Sequence, residues 1–135
     1  MTVNKKVGFK QLVAEAEAQI DTLSVQTAID LVGADDVLFV DLRDVRELER
    51  EGKVPGAVHM PRGMLEFWVD PESPYYRPVF DEDKRFVFYC AAAWRSALAT
   101  ATAKQMGLEK TAHIEGGLAA WKEAGGPIEE YTRKK

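Results

Sequence analysis

One cysteine, Cys90, stands between an apolar run and an alanine-rich stretch, and Arg95 follows five residues later. Phe86 to Tyr89 is apolar, aromatic and β-branched, and it follows the charged residues 81–85. That pattern predicts a buried strand after a polar turn. Ser96 to Met106 is rich in alanine and predicts a helix. A cysteine between strand and helix faces the helix's unpaired N–H groups and positive dipole end. Such a setting favours the thiolate, the nucleophilic form, and Arg95 adds a fixed positive charge. Ala91, Ala92, Ala93 and Trp94 separate Cys90 from Arg95, and Ser96 comes next. A loop of this length can form a cup of backbone N–H groups aimed at one anion. A lone cysteine after an apolar strand is more often a core residue, but a core residue does not need this loop.

The elements that must hold the loop follow from pattern along the chain. Phe9 to Ile20 predicts a helix with Phe9, Leu12, Val13, Ala16 and Ile20 on one stripe, packed on the outside of the domain. Thr22-Leu23 suits a short edge strand. Ser24 is a good N-cap for a helix over 25–32. Val37 to Val40 is a continuous apolar run, as in a central parallel strand, and ends at Asp41. Asp44 can cap a helix from Val45 to Glu51, which Gly52 stops. A short strand at Ala57 to His59, a helix at 62–69 and a proline-stiffened loop at 70–78 come next. In that loop Tyr75 and Tyr76 either line a mouth or contact, or simply cover the core. Thr111 to Ile114 is the last strand, and Leu118 to Ala124 the last helix. Strands alternating with helices imply a mainly parallel sheet covered on both faces. Residues at the carboxyl ends of such strands gather into a site, which places Asp41 near Cys90.

Four motifs in order carry a resemblance. The loop Cys90 to Ser96 resembles the active-site signature of rhodanese-like sulfurtransferase domains. Val40-Asp41-Leu42-Arg43 resembles that family's Asp-x-Arg motif, and Val54 to Pro61 its Pro-Gly-Ala-x-His-x-Pro motif. Glu115 to Trp121 resembles its Gly-Gly-x-x-x-Trp motif. The resemblance spans residues 22–130, leaving 1–21 as a helical extension and 131–135 as a charged tail. It implies a three-layer α/β fold with a five-stranded central sheet. It also implies a sulfurtransferase in which Cys90 takes a sulfane sulfur from thiosulfate or a persulfide and passes it to a thiol or cyanide. Backbone N–H groups of Ala91, Ala92, Ala93, Trp94, Arg95 and Ser96 would bind the persulfide. Arg95 would brace the loop through Asp41 or another carboxylate and add to the field. Asp41 and Arg43 would support the site from behind, and His59, Gly116, Gly117 and Trp121 would serve the fold. No cofactor beyond the covalent persulfide is expected.

Two features depart from the family pattern. Ala93 stands where many members carry glycine, and a positive φ there would cost about 1–2 kcal/mol. The loop also lacks the extra basic residue common in thiosulfate-preferring members, so a protein-bound persulfide or an uncharged donor is equally open. Trp94 could wall the cup, or pack on Trp68 or on Tyr75 and Tyr76. Two other functions compete. Phosphatases of the same fold use a cysteine and an arginine with five residues between them, whereas this chain has four. A carrier or binding module would dock through the aromatic loop and the first helix.

Composition bounds the rest. The 135 residues suit one domain, and 46% hydrophobic content supplies a core. Acidic residues outnumber basic ones 22 to 18 and the signs are mixed, which excludes a nucleic-acid or anionic-membrane surface as a partner. No apolar run nears the roughly 18 residues of a membrane span, and no secretory signal is evident. One cysteine excludes an internal disulfide and suits a cytoplasmic protein. Two histidines without a ligand-like cluster argue against a metal. With no second thiol, sulfur on Cys90 must leave to an external acceptor, a small molecule or another protein. Oligomeric state is left open.

Overall fold

The computed structural model describes residues 6–133. Five strands form one sheet: β1 (Asp21–Leu23), β2 (Val37–Asp41), β3 (Val58–His59), β4 (Arg85–Tyr89) and β5 (Thr111–Ile114). Their order across the sheet is β1-β5-β4-β2-β3, and every pairing is parallel. Central β4 is flanked by β2 and β5, so its alternation is two-sided. Phe86 and Phe88 face one layer, and Val87 and Tyr89 the other. All four are buried, which is why the run reads as unbroken apolar sequence.

On one face α2 (Val25–Asp30) and α6 (Gly117–Glu123) cover Phe39, Val87 and Ala112, and Trp121 of α6 is buried among them. On the other, α4 (Leu65–Val69) and α5 (Trp94–Gln105) cover Val40, Phe86 and Phe88. Three-layer α/β architecture follows. Ser24 caps α2 by accepting the Thr27 N–H at 3.2 Å. Asp44 caps α3 (Val45–Glu51) in a reciprocal box with Glu47.

Several elements differ from expectation. The helix after the cysteine begins at Trp94, not Ser96, so Trp94, Arg95 and Ser96 are its first turn and the open loop is only residues 90–93. Helix α1 runs Phe9–Glu17 and stops before Ile20. It lies on the outside of α5, burying Val13 and Ala16 against Ala97. Phe9 and Leu12, expected in the buried stripe, stay 49% and 45% exposed. A helix on the outer side of another helix has only a narrow seam to bury. The expected helix over 62–69 is a 3-10 turn, Arg62–Met64, followed by α4. A second 3-10 turn, Pro78–Asp81, follows the proline-rich loop. Tyr75 in that loop is 60% exposed and covers no core. Residues 1–5 of the expected extension and 134–135 of the expected tail lie outside the described residues. No helix among the described residues is long and apolar enough to cross a membrane.

Candidate active site

Cys90 directly follows β4, with its side chain buried beside the amino end of α5. The Ala93 N–H donates to Cys90 Sγ at 3.2 Å. Ala93 reaches that position in the left-handed region, with φ 87°. Its carbonyl is also held, accepting the Ala97 N–H at 3.1 Å and the Ser96 hydroxyl at 3.2 Å. Helix α6 grips the other side of the loop. Leu118 N–H donates to the Cys90 carbonyl at 2.8 Å and Ala119 N–H to the Ala91 carbonyl at 3.1 Å. The loop is thus held by hydrogen bonds at three of its four residues.

The positive φ at Ala93 is the strain that the sequence anticipated if alanine stood at a glycine position. It has not displaced the loop, because hydrogen bonds on both sides of the residue hold it. Replacing Ala93 with glycine removes about 1–2 kcal/mol of strain and adds about 0.5–1 kcal/mol of unfolded-state entropy. Urea melts of Ala93→Gly should therefore show unchanged or modestly raised stability, by no more than about 1 kcal/mol. A loss of stability would mean that the alanine methyl is needed for packing.

Arg95 makes a fork to Glu47, with distances of 2.8 and 3.0 Å to its two carboxylate oxygens. The carboxylate that braces the loop is therefore Glu47, from the first turn of α3, and not Asp41. The Arg95 hydrogen bond holds Glu47 below the usual carboxylate range. Glu47, and more weakly the Cys90 sulfur, raise Arg95 further above its ordinary value.

Asp41 is taken by a different partner. Arg43 donates to Asp41 from Nε at 2.9 Å and from Nη2 at 2.7 Å, and Nη2 also donates to the Gly52 carbonyl at 2.7 Å. Both side chains are fully buried. Burial works against the Arg43 charge, but Asp41 outweighs it and holds the guanidinium above its usual value. Their side-chain hydrogen bonds go to each other, the Arg43 backbone and Gly52, not to residues 90–96. They tie the end of β2 to the end of α3. His59 Nε2 donates to the Arg43 carbonyl at 2.7 Å, a structural contact as expected.

A histidine given no site role in the sequence analysis contacts the first turn of α5. His113 Nδ1 lies 2.9 Å from Ser96 Oγ, and its Nε2 lies 3.1 Å from Thr22 Oγ1. The signal was one polar ring in an otherwise small and apolar strand, Thr111-Ala112-His113-Ile114. Burial pushes His113 below the usual imidazole range, while Glu17 and Glu115 act weakly the other way. The unfolded ring therefore binds protons more readily than the folded one. Stability from this group is complete above the ordinary value of 6.5 and falls as pH drops below it. Thermal melts from about pH 7.5 to 5.5 should show wild type losing stability at up to about 1.4 kcal/mol per pH unit from this group. His113→Asn should lack that component; an equal acid slope in the variant would remove His113 as its source.

Trp94 is 58% exposed at the rim of the loop. Its ring packs on Phe9 of α1, with centroids 4.8 Å apart, and not on Trp68 or Tyr75 and Tyr76. Trp68 is instead covered by the Arg77 guanidinium, 4.1 Å from its ring. The rim is therefore apolar, and the one cation of the loop is matched by Glu47.

Comparison with known proteins places this geometry among relatives. The family profile described as "Rhodanese-like domain" matches residues 24–124. Mouse thiosulfate sulfurtransferase/rhodanese-like domain-containing protein 3 is 31% identical over 96 residues, 67% of this chain and 61% of the mouse protein. The chain thus spans less than two thirds of that protein's length. A polysulfide-sulfur transferase homodimer from Wolinella succinogenes is 32% identical with a TM-score of 0.68, covering 92% of this chain and 88% of that one. A Rhodopseudomonas palustris protein, described as of unknown function and a possible tyrosine phosphatase, is 56% identical. It superposes with a TM-score of 0.93 and covers 96% of this chain and 99% of its own.

Proposed function

The chain belongs to the rhodanese-like domain family, and from that premise we propose that it transfers sulfane sulfur through a persulfide on Cys90. The observation that carries the reading is the four-residue loop turned by Ala93, whose N–H meets Cys90 Sγ at the amino end of α5. The thiolate attacks the outer sulfur of a donor. A new S–S bond forms at Cys90 as the donor's S–S bond breaks, and the leaving group departs with the bonding pair as a thiolate or sulfite. The persulfide's outer sulfur is anionic and remains among the loop's N–H groups and the α5 dipole. An acceptor thiolate or cyanide then attacks that sulfur and returns Cys90 as thiolate.

Donor class follows from charge. Arg95 is matched by Glu47 and the loop brings no second cation, so little in it favours a dianionic tail. A persulfide on an uncharged or protein tail therefore fits better than thiosulfate.

Intact-mass spectrometry under non-reducing conditions tests the reading. Wild type should gain about 32 Da from a protein-bound persulfide, more slowly from thiosulfate, and lose it to cyanide or a thiol. Cys90→Ser should gain nothing. Absence of any adduct on wild type would overturn the reading.

Phosphate-ester hydrolysis is the second reading, favoured by the description of the Rhodopseudomonas relative. Against it, four residues rather than five separate Cys90 from Arg95. Glu47, the carboxylate held against Arg95, is kept ionised and cannot serve as the acid that protonates a leaving group. Cys90-dependent release of an aryl alcohol from its phosphate, without sulfur loading, would reverse the order of the two.

A further inference from the structure

We infer that His113 is a positioning residue for the sulfur-carrying loop, acting through Ser96 on the peptide of Ala93. This rests on the reading of Cys90 as the sulfur carrier. The contacts form one chain from the sheet edge to the nucleophile. Thr22, on edge strand β1, is the register partner of His113 on β5. Thr22 Oγ1 meets His113 Nε2 at 3.1 Å, and His113 Nδ1 meets Ser96 Oγ at 2.9 Å. Ser96 Oγ reaches the Ala93 carbonyl at 3.2 Å, and Ala93 N–H reaches Cys90 Sγ at 3.2 Å.

Proton counting assigns the tautomer. A hydroxyl has one proton to donate, and the Ala93 carbonyl can only accept. Ser96 therefore donates to Ala93 and must accept from His113, which puts the ring proton on Nδ1. Nε2 is then an acceptor, and Thr22 donates to it. One neutral tautomer satisfies every contact, with the proton positions assigned from this network.

The chain has a task because Ala93 is a strained alanine, not a glycine. Without the Ser96 hydroxyl on its carbonyl, the residue is freer to leave the left-handed region, and its N–H would leave the sulfur. Ser96 and His113 are both buried, with 0% and 1% exposure, so the loop is supported from the protein side and not by solvent.

The test compares His113→Phe, His113→Asn, His113→Gln, Ser96→Ala, Thr22→Val and the Ser96→Ala/His113→Phe double variant. Each is measured for sulfur loading from inorganic polysulfide, alkylation of Cys90 by iodoacetamide, and melting temperature. The Asn amide sits where Nδ1 sat, and the Gln amide sits nearer Nε2. We expect His113→Phe to load about fivefold more slowly, the effect of one lost positioned hydrogen bond, with the donor concentration at half-saturation unchanged. His113→Asn should recover most of the rate and His113→Gln should not, even if Asn melts lower than Phe. The double variant should be no slower than the slower single. Thr22→Val, at the sheet edge, should slow loading less and leave the fold intact.

Additive rates, or a ranking that follows melting temperature alone, would overturn the inference. Should His113→Phe not fold, wild-type loading in Thr22→Val and in His113→Gln would overturn it equally. If wild type takes no sulfur from any donor, the sulfur reading fails by itself. The alkylation series then decides the positioning role, by the same ranking.

Discussion

Arg43→Met is expected to destabilise the protein by about 3–5 kcal/mol, the cost of leaving a buried charge without its partner. The whole stability of a domain is about 5–15 kcal/mol, so the variant should melt far below wild type or not fold at body temperature. Asp41 is fully buried and takes two side-chain hydrogen bonds from Arg43. Truncating the arginine removes both, together with the donor to the Gly52 carbonyl. The Asp41 carboxylate is then a buried group without its partner. The double variant Arg43→Met/Asp41→Leu separates charge from shape. Replacing a buried pair by apolar residues of similar volume is often neutral, so it should recover most of the loss in urea melts. A single variant within about 1 kcal/mol of wild type would show that the pair contributes nothing.

Gly117→Ala carries the second large effect, and it reaches the chemistry. Gly117 has φ +62°, and a Cβ there would lie 2.5 Å from the Cys90 carbonyl oxygen and 2.8 Å from the carbonyl carbon and oxygen of Ala91. These are backbone atoms of the loop after β4, so no side chain can swing aside. The left-handed conformation costs about 1–2 kcal/mol, and overpacking about 1–3 kcal/mol more. Relief is available only by moving residues 90 and 91 away from α6, which breaks the Leu118 and Ala119 hydrogen bonds to the loop. Sulfur loading should fall more than about tenfold, as expected when reacting groups are misplaced by about 1 Å. Gly125→Ala is the control. Its φ is +77° but a Cβ there meets nothing within 4 Å. It should cost only the backbone term and load sulfur at the wild-type rate. Equal loading by both variants would separate α6 from the loop's function.

The sequence reading of Gly116 and Gly117 as turn residues was incomplete for the same reason. Positive φ at both is a local property, and Gly-Gly announces it. The approach of Gly117 to Cys90 is not local, because it depends on β5 lying beside β4.

Much was written locally. Apolar runs marked β2 and β4, and Ser24 and Asp44 marked the starts of α2 and α3, because strands and caps are decided by residues a few positions apart. The spacing from Cys90 to Arg95 and the candidate loop were equally plain. The start of α5 is not legible in the sequence, because Trp94 and Arg95 carry no cap signal and Ala93 takes a conformation that alanine seldom adopts.

What the chain alone determined is the single cysteine, the length of the loop after it and the strand-helix order around it, since each depends on neighbours in sequence. What tertiary structure decided is who holds the loop. Glu47 and Arg95 are 48 residues apart, and Thr22 and His113 are 91 apart. Only the order β1-β5-β4-β2-β3 brings these pairs to the carboxyl end of one sheet. Several carboxylates could have met Arg95. Burial and the Arg43 fork removed Asp41 from that choice, and the capping turn of α3 placed Glu47 within reach.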